Sequence, residues 1–430
     1  MPGLPPPDSP TPRRPKGRVV QRVNSTLHLW VGLALSALLI LLSVTGSTLV
    51  FRHEIDGWLN PSLLRVEPGE ETKPLAEVVA AAEAAAPEAT TRFLRVPRSP
   101  AHAVEVWMSD GRNAYVDPYT AEVLGLRGTE EGAMNVLFAL HAELLAGDRG
   151  ETVVGIIGLL ALLTAATGMV LWWPSSLRWS RIRKALVIER RLGPWRLNYD
   201  LHRSGGFYTA LFLVLVAATG SGLVFYDVTK SLLNTATGSA LPPPPPTASP
   251  EEEALDPAVL SRSMAIAHEA LPDGVPTFVS LPRGEGTPLS VRLKTPSEGH
   301  PNGRSYVYIA PASGRVLGVV DGRTVPLGTW LLNLLYPLHI GAIGGGVVKV
   351  LYVLLGISPA VLSVTGTLIW YRRWRRKYRT VAPPPPPVRR VVPVRLPPNA
   401  TRPRPHTGHP SARIASGDER PLPPAGEASS

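Results

Sequence analysis

Four long stretches of this sequence contain no charged residue, and they constrain its fold more than any other feature. They cover roughly residues 27–51, 152–173, 206–226 and 350–371, and they are rich in Leu, Val and Ala. A helix needs about 20 consecutive apolar residues to cross the hydrocarbon core of a bilayer, so each stretch is long enough to span one. The sequence therefore predicts an integral membrane protein with four transmembrane helices.

Two further apolar features affect the number of spans. The first span follows a basic leader, but it is much longer than the roughly 7–15 residues of a signal-peptide core and no A-x-A site closes it, which favours an uncleaved anchor. Residues 324–348 are also uncharged, but they contain Pro326, Pro337 and five glycines. These residues weaken a continuous lipid-exposed helix. We therefore interpret 324–348 as an interfacial or re-entrant segment.

The distribution of basic residues predicts the orientation in the membrane. Lys and Arg number five in the leader, eight in the connection 174–203 and six in 372–379. All three segments fall on one side of a four-span arrangement, which the positive-inside rule assigns to the cytoplasm together with both termini. Residues 52–151 and 227–349 are then extracytoplasmic. Because the formal charge of +11 comes mostly from residues that flank the spans, it does not indicate nucleic-acid binding.

The sequence contains no cysteine. Disulfides, thiolate metal sites, iron–sulfur clusters and covalent haem attachment through C-x-x-C-H are therefore excluded. No G-x-G-x-x-G turn follows a predicted strand, and neither a Walker loop nor an H-E-x-x-H motif is present, so no nucleotide or flavin domain is indicated. Redox or metal chemistry in this chain would have to use histidine, carboxylate or a bound cofactor, with electrons from a separate donor.

An internal duplication organises the chain. Spans 1 and 3 align without gaps at an offset of 174 residues, and spans 2 and 4 align at an offset of 198. The segments between the spans repeat as well, each with a strand–turn–strand pattern. The matching elements are LH at 27–28 and 201–202, TGS at 45–47 and 219–221, LH at 140–141 and 338–339, TG at 167–168 and 365–366, and YVDPYTAEVLG at 115–125 with YIAPASGRVLG at 308–318.

These repeated blocks resemble the PepSY-associated transmembrane family, which includes iron-regulated inner-membrane proteins and siderophore-iron reductases of bacteria. The resemblance covers roughly residues 20–375. It implies a membrane core that binds haem through histidines, in the bacterial inner membrane. The expected fold is membrane α-helical: a four-transmembrane-helix bundle from an internal duplication, with two small α+β (PepSY-like) extracytoplasmic domains.

This interpretation divides the chain into eleven segments. They are a disordered basic N-terminal tail (1–22), TM1 (23–51), a first PepSY-like outer domain (52–132), an outer interfacial histidine segment (133–151), TM2 (152–173), a basic cytoplasmic connection (174–205), TM3 (206–226), a second PepSY-like outer domain with a Pro-rich spacer (227–323), a second outer interfacial histidine segment (324–349), TM4 (350–371) and a basic, Pro-rich cytoplasmic tail (372–430).

Four of the ten histidines are candidate metal or haem ligands, because each repeats in register with another. The predicted topology places His28 and His202 at the cytoplasmic end, and His141 and His339 at the outer end. Two bis-histidine b-type haems require such an arrangement. A structural role at the membrane edge is the alternative. The other histidines are predicted to be solvated surface residues (His102, His268, His300), tail residues (His406, His409) and an interfacial residue (His53).

Glycines and basic residues complete the predicted sites. Gly32 and Gly206 each lie four residues beyond a paired histidine, on the same helix face, where the missing side chain would let a macrocycle approach. Each TG pair is predicted to lie at the depth of the haem that its own span does not ligate, and to make room beside it. Candidate partners of the haem propionates are Arg22 and Arg203 at the inner site and Arg149 and Lys349 at the outer site.

The leading hypothesis is a di-haem transmembrane electron-transfer protein that reduces an extracytoplasmic ferric substrate. Siderophore-bound Fe(III) is the substrate that the resemblance implies, and reduction to Fe(II) weakens its oxygen-donor chelation. A quinol or a cytoplasmic reductase would supply the electrons. Two alternatives remain open: a non-redox membrane protein whose outer domains bind a peptide or a protease, and a haem-free metal-binding transporter that uses the same histidines.

Overall fold

The computed structural model describes residues 16–174, 176, 178–240 and 243–379, and within them four helices are long and apolar enough to cross a membrane. These helices run over Val19–Leu49, Gly147–Trp172, Pro194–Val224 and Gly345–Tyr378, and each overlaps one predicted span. The fourth consists of two consecutive segments, Gly345–Gly356 and Ser358–Arg379. Large apolar side chains are exposed along them, as expected of helices that face lipid. The predicted tails fall largely on residues 1–15 and 380–430, which lie outside the described residues.

The described residues form thirteen α-helices, several of them short. They are α1 (Lys16–Leu49), α2 (Arg52–Leu59), α3 (Pro61–Leu64), α4 (Leu75–Ala85), α5 (Ala133–Glu143), α6 (Gly147–Trp172), α7 (Trp179–Leu186), α8 (Pro194–Val224), α9 (Tyr226–Thr237), α10 (Pro257–Ala270), α11 (Leu327–His339), α12 (Gly345–Gly356) and α13 (Ser358–Arg379). With 13 residues, α11 is too short to cross a bilayer.

At three of the predicted boundaries the helices continue beyond the apolar stretches. Residues 16–22, predicted as part of a disordered tail, form the first turns of α1. Residues 194–205, predicted as part of a connection, belong to α8, which begins with a proline in its first turn. Residues 372–379 extend α13. The bilayer limits the apolar length and not the helix length, since long basic side chains reach water from a helix end.

Eight strands form one antiparallel sheet in the order β4-β3-β2-β1-β5-β6-β7-β8. Strands β1 and β5 pair with Leu94 opposite Val279, and this pairing joins four strands from each half of the chain. The predicted separation into two outer domains is therefore not observed; pairing β1 with β5 removes two edges that would otherwise be unpaired. The strands are β1 (Thr91–Arg95), β2 (Val104–Met108), β3 (Asn113–Val116), β4 (Val123–Arg127), β5 (Val275–Ser280), β6 (Leu289–Lys294), β7 (Ser305–Ile309) and β8 (Val316–Val320).

The two faces of this sheet have different neighbours. Helices α4 and α10 pack on one face, where alternate side chains such as Val104, Val106 and Met108 are buried in a single hydrophobic core. Because successive side chains of a strand point to opposite faces, the intervening positions face the other way. There Glu105 and Trp107 line a large cavity. The sheet thus contributes one face to its own core and the other to the cavity.

Two reversals bring a short helix beside a long one in each half. Beyond α5, Leu144 has a left-handed backbone with φ of 51°. A Cβ on Gly150 would lie 1.6 Å from the carbonyl oxygen of Glu143, so only glycine permits this close approach. Beyond α11, Gly341 and Gly344 have φ values of 67° and 103°, which glycine adopts without strain. Each short helix is thereby folded back against the membrane helices.

Candidate functional site

The four repeated histidines lie in two facing pairs. The ring centroids of His28 on α1 and His202 on α8 are 6.2 Å apart, and those of His141 on α5 and His339 on α11 are 6.3 Å apart. We call His141 and His339 the sheet-side pair, because α5 and α11 each follow the last strand of their half. We call His28 and His202 the far pair. Along α1, His28 lies about 26 Å from Thr45, which contacts the sheet-side pair.

A threonine and a backbone carbonyl hold each ring of the far pair. His28 Nδ1 lies 3.1 Å from the carbonyl oxygen of Thr164 and 3.2 Å from Oγ1 of Thr167, both on α6. His202 Nδ1 makes the same two contacts with α13, to a carbonyl oxygen at 3.0 Å and to Oγ1 of Thr365 at 3.1 Å. Both threonine hydroxyls donate to carbonyls of their own helices, so their oxygens are free to accept from the histidines.

The sheet-side pair is held in the same way by the other two TG pairs. His141 Nδ1 lies 2.9 Å from Oγ1 of Thr45 on α1. His339 Nδ1 lies 3.1 Å from the carbonyl oxygen of Val216 and 3.2 Å from Oγ1 of Thr219, both on α8. Each threonine therefore positions a histidine that another helix supplies. Four equivalent contacts of this kind occur, one for each TG pair.

These contacts determine which ring nitrogen carries the proton. A carbonyl oxygen can only accept, so Nδ1 of His28, His202 and His339 must be the N–H donor. Nε2 is then unprotonated and has a lone pair for a metal. On the sheet side, burial lowers the pKa of His141 to about 4 and also lowers the pKa of His339. These two imidazoles are therefore neutral, which is the form that ligates metals.

The glycine of each TG pair lies against an imidazole, and its lack of a side chain is required there. A Cβ on Gly46 would lie 2.7 Å from Cε1 of His141; the corresponding distances to the neighbouring histidine are 3.0 Å for Gly168, 2.8 Å for Gly220 and 2.8 Å for Gly366. Carbon atoms in contact need about 3.5–4.0 Å. The glycines of the TG pairs therefore make room for a histidine ring, and the room that they were expected to make beside a haem stays a prediction.

One cavity of about 1510 Å³ reaches both histidine pairs and continues to the sheet. All four paired histidines line it, as do Gly32 and Gly206. A Cβ on Gly206 would come no closer than 3.6 Å to a neighbouring atom, and a Cβ on Gly32 no closer than 3.9 Å. Contacts within the protein therefore do not require glycine at these two positions, and both lie where a bound molecule could contact them.

The four candidate propionate partners are not equally placed. Arg203 and Lys349 line the cavity, although Lys349 already contacts the carboxylate of Glu54. Arg22 is exposed near the start of α1, and Arg149 is exposed near the start of α6. Neither Arg22 nor Arg149 belongs to the cavity lining. The structure thus brings Arg203 and Lys349 to the site and leaves the other two in solvent-exposed positions.

The spacing of the pairs fits a metal between two imidazoles. Because a metal–imidazole bond is about 2.0–2.1 Å, a metal between two Nε2 atoms brings the ring centroids to roughly 6 Å, close to the observed 6.2 Å and 6.3 Å. Across the described part of the chain, no group of three or more His, Cys, Asp or Glu residues is placed to hold a metal ion. Two imidazoles without further protein ligands fit an iron whose other ligands come from a porphyrin.

The burial of His300 differs from the sequence-based prediction. It was expected on the surface, but it is only 5% exposed. Its Nδ1 accepts from Nη2 of Arg292 and from the backbone N–H of Asn302, both at 3.1 Å, and its ring stacks on Tyr336 at 5.4 Å. Sequence reasoning missed this residue because the ring that covers it is 36 positions away in the chain. The other two predicted surface histidines of the outer segments are exposed, as expected.

Comparison with known proteins identifies the family of this chain. A family model described as PepSY-associated TM region matches residues 25–373, a range that contains both histidine pairs and all eight strands. No curated protein matches the chain. Because the family model covers well over half of the sequence, the chain belongs to the PepSY-associated transmembrane family.

Proposed function

We propose that this protein is a di-haem transmembrane electron-transfer protein that reduces an extracytoplasmic ferric, siderophore-bound substrate in iron uptake. The observation that carries the proposal is the geometry of the two histidine pairs. In each pair, imidazoles from two helices face each other at 6.2 Å or 6.3 Å between centroids, inside one cavity. The cofactors that fit this geometry are two b-type haems, each with two histidine ligands.

His28 with His202, and His141 with His339, would hold the two irons. A bis-histidine haem supplies a one-electron Fe(III)/Fe(II) couple without an open coordination position. The residues of the chain fix the ring orientation through the Nδ1–H bonds, and an acceptor on Nδ1–H makes Nε2 a stronger ligand. Since a threonine hydroxyl of a TG pair contacts Nδ1 of all four rings, both sites would present their imidazoles in a similar way.

The two alternative functions have less support from the structure. A haem-free metal transporter needs several protein ligands around its ion, and the described residues contain no cluster of three or more. A protein that only anchors its outer sheet has no need for four half-buried imidazoles that each meet a threonine hydroxyl at Nδ1. The repeated contact at each ring therefore favours histidines that ligate a metal centre.

The orientation and the substrate are further parts of the proposal. Lys and Arg are concentrated at the span ends that lie away from the sheet, which favours a cytoplasmic far pair and a sheet outside a bacterial inner membrane. An electron from a quinol or a cytoplasmic reductase would enter near the far pair and leave near the sheet-side pair. One electron converts chelated Fe(III) to Fe(II), which weakens oxygen-donor chelation. The siderophore class of substrate depends on family membership alone.

Haem quantification on the purified protein and on four His→Ala variants tests the proposal. The wild type is expected to contain two b-type haems per chain. His28→Ala and His202→Ala should lose the same haem, and His141→Ala and His339→Ala should lose the other. His268→Ala is the matched control, because this imidazole is exposed on α10, and it should keep both haems.

The outcomes separate the parts of the proposal. A dithionite-reduced minus air-oxidised spectrum without a b-type band would contradict haem binding. Loss of the same haem in His28→Ala and His141→Ala would contradict the ligand pairing. Substrate reduction is measured separately, by mixing reduced protein with a ferric siderophore and a chromogenic Fe(II) chelator.

A further inference from the structure

Three arginines lie at the sheet-side end of the cavity with too few carboxylates to match them. Arg52 at the start of α2, Arg95 on β1 and Arg98 just beyond β1 all line the cavity, and we call them the arginine cluster. Arg95 pairs with Glu105 at 3.4 Å. Among the described residues, no carboxylate lies within 4 Å of the guanidinium of Arg52 or Arg98. Neither guanidinium therefore has a direct ion-pair partner, and the two carboxylates that act on Arg52 from a longer distance, Asp56 and Glu105, already pair with Arg127 and Arg95.

Neutral side chains orient the two unpaired guanidiniums. Arg52 Nη2 donates to Oδ1 of Asn135 at 2.9 Å, and its guanidinium carbon lies 4.5 Å from the ring centroid of Phe138. Arg98 Nη2 donates to Oδ1 of Asn302 at 2.5 Å. A guanidinium has five N–H donors in a planar fork, so each of these two arginines keeps donors for another acceptor. Both are held in place without being neutralised.

The neighbouring His53 reflects the positive charge of this region. Its Nε2 accepts from Nη2 of Arg95 at 3.3 Å, which requires an unprotonated nitrogen. Desolvation at the cavity wall, followed by the charges of Arg95, Arg98 and Arg52, lowers the pKa of His53 to about 3. Like charges that face one another in a partly desolvated site are costly unless an anion joins them. The cluster therefore has the character of an anion site.

The arginine cluster lies close to the sheet-side pair. Phe138, which contacts Arg52, precedes His141 by three residues on α5. Tyr336, which lines the cavity near Arg52, precedes His339 by three residues on α11. Residues three apart on a helix share a face. A molecule bound by the cluster would therefore lie beside the two imidazoles, where an electron acceptor is needed.

We propose that the arginine cluster binds carboxylate groups and directs the protein toward anionic, carboxylate-bearing iron chelates. Arginine forks match carboxylates with two parallel hydrogen bonds, which neutral chelates cannot offer. The inference rests on the proposed function for the idea that the ligand carries Fe(III). The same chemistry can come from a second source, the propionate groups of a haem held by the sheet-side pair. The experiment distinguishes these two sources.

Citrate and ferric citrate serve as probes, with full-length purified protein. Arg52→Gln and Arg98→Gln each remove one charge but keep an amide that can still bond to the neighbouring asparagine. Arg112→Gln is the matched control, because Arg112 is partly exposed, lies outside the cavity lining and pairs with Asp110. Citrate affinity is measured by calorimetry, and haem content and midpoint potentials are measured on the same samples.

Binding of a soluble chelate predicts that Arg52→Gln and Arg98→Gln raise the Kd for citrate about tenfold or more. Haem content and midpoint potentials of these two variants should then stay at wild-type values. In Arg112→Gln the citrate affinity, the haem content and the midpoint potentials should all be unchanged. Propionate binding predicts instead that the wild type does not bind citrate, and that the two variants lose one haem or shift its potential.

The carboxylate site would be overturned if both variants kept the citrate affinity, the haem content and the midpoint potentials of the wild type. A wild type without haem would contradict the proposed function, whereas tenfold weaker citrate binding in the variants would still support the carboxylate site. The two proposals therefore fail in different measurements.

Discussion

Gly220→Ala tests how the chain holds its histidines. Gly220 lies on α8 beside the ring of His339, and an added Cβ would lie 2.8 Å from Cε1 of that ring. Since carbon atoms in contact need about 3.5–4.0 Å, the new methyl group and the ring would overlap by roughly 1 Å. Either the ring or α8 must move by about that distance.

Such a displacement acts directly on the proposed ligand. Nδ1 of His339 lies 3.1 Å from the carbonyl oxygen of Val216 and 3.2 Å from Oγ1 of Thr219, and a shift of about 1 Å takes it out of hydrogen-bond range. Overpacking of this kind costs about 1–3 kcal/mol, and the higher helix propensity of alanine offsets about 1 kcal/mol. A metal–imidazole bond of about 2.0–2.1 Å does not tolerate the shift. We therefore expect the fold to persist and the sheet-side haem to be lost.

Haem content and thermal unfolding are compared with those of Gly205→Ala. Gly205 lies in the same helix, and no atom lies within 4 Å of its added Cβ. This control gains the same helix propensity without the clash and should keep both haems, whereas Gly220→Ala should keep one. Gly366→Ala, with its Cβ 2.8 Å from Cε1 of His202, should lose the far haem instead. Two haems with wild-type spectra in Gly220→Ala would refute the argument that this glycine positions a ligand.

Two further predictions concern hydrogen bonding and pH. Thr45→Val removes the hydroxyl that lies 2.9 Å from His141 Nδ1, and it should raise the midpoint potential of the sheet-side haem by roughly 40 mV per 1 kcal/mol of lost hydrogen bonding. Thr48→Val is the control, because the exposed hydroxyl of Thr48 bonds only within its own helix. Equal midpoint potentials in redox titrations of the two variants would contradict a role of Thr45 in tuning the haem. His300 has a pKa lowered from 6.5 to about 2, first by burial and then by nearby cations, of which Arg304 acts most. As pH falls below 6.5 the unfolded chain therefore binds a proton that the folded chain does not, and stability falls by up to about 1.4 kcal/mol per pH unit. Between pH 7.5 and 5.5 the melting temperature should fall more in the wild type than in His300→Gln. An equal fall in both proteins would exclude a contribution of His300 to this pH dependence.

The TG pairs show how far spacing along one helix can be interpreted. Counting residues from His28 to Thr45 gave the correct depth, because helical rise is constant. It did not reveal which neighbour occupies the space beside Gly46, because that neighbour, His141, lies 95 residues further along the chain. The assumed occupant was a cofactor, and the observed one is the ring of His141. The role of the TG pairs in positioning ligands is therefore a property of the packed bundle.

The spans and the four repeated histidines could be identified from the sequence alone. Apolar length decides which segments cross a bilayer, and this property is local. The repeated LH and TG pairs singled out four of the ten histidines, because chance does not repeat them in order. The family could be recognised for the same reason, and the match over residues 25–373 confirms it. These conclusions need no knowledge of which residues meet in space.

Only the tertiary structure decided how the two halves combine. It joined β1 to β5 in one sheet, buried His300, and gave the paired histidines their Nδ1 acceptors. It also brought Arg52 from α2 and Arg98 from beyond β1 to one end of the cavity. Each of these features depends on contacts between residues far apart in the chain. Burial, tautomer and charge pairing are properties of such contacts, and residue order alone does not determine them.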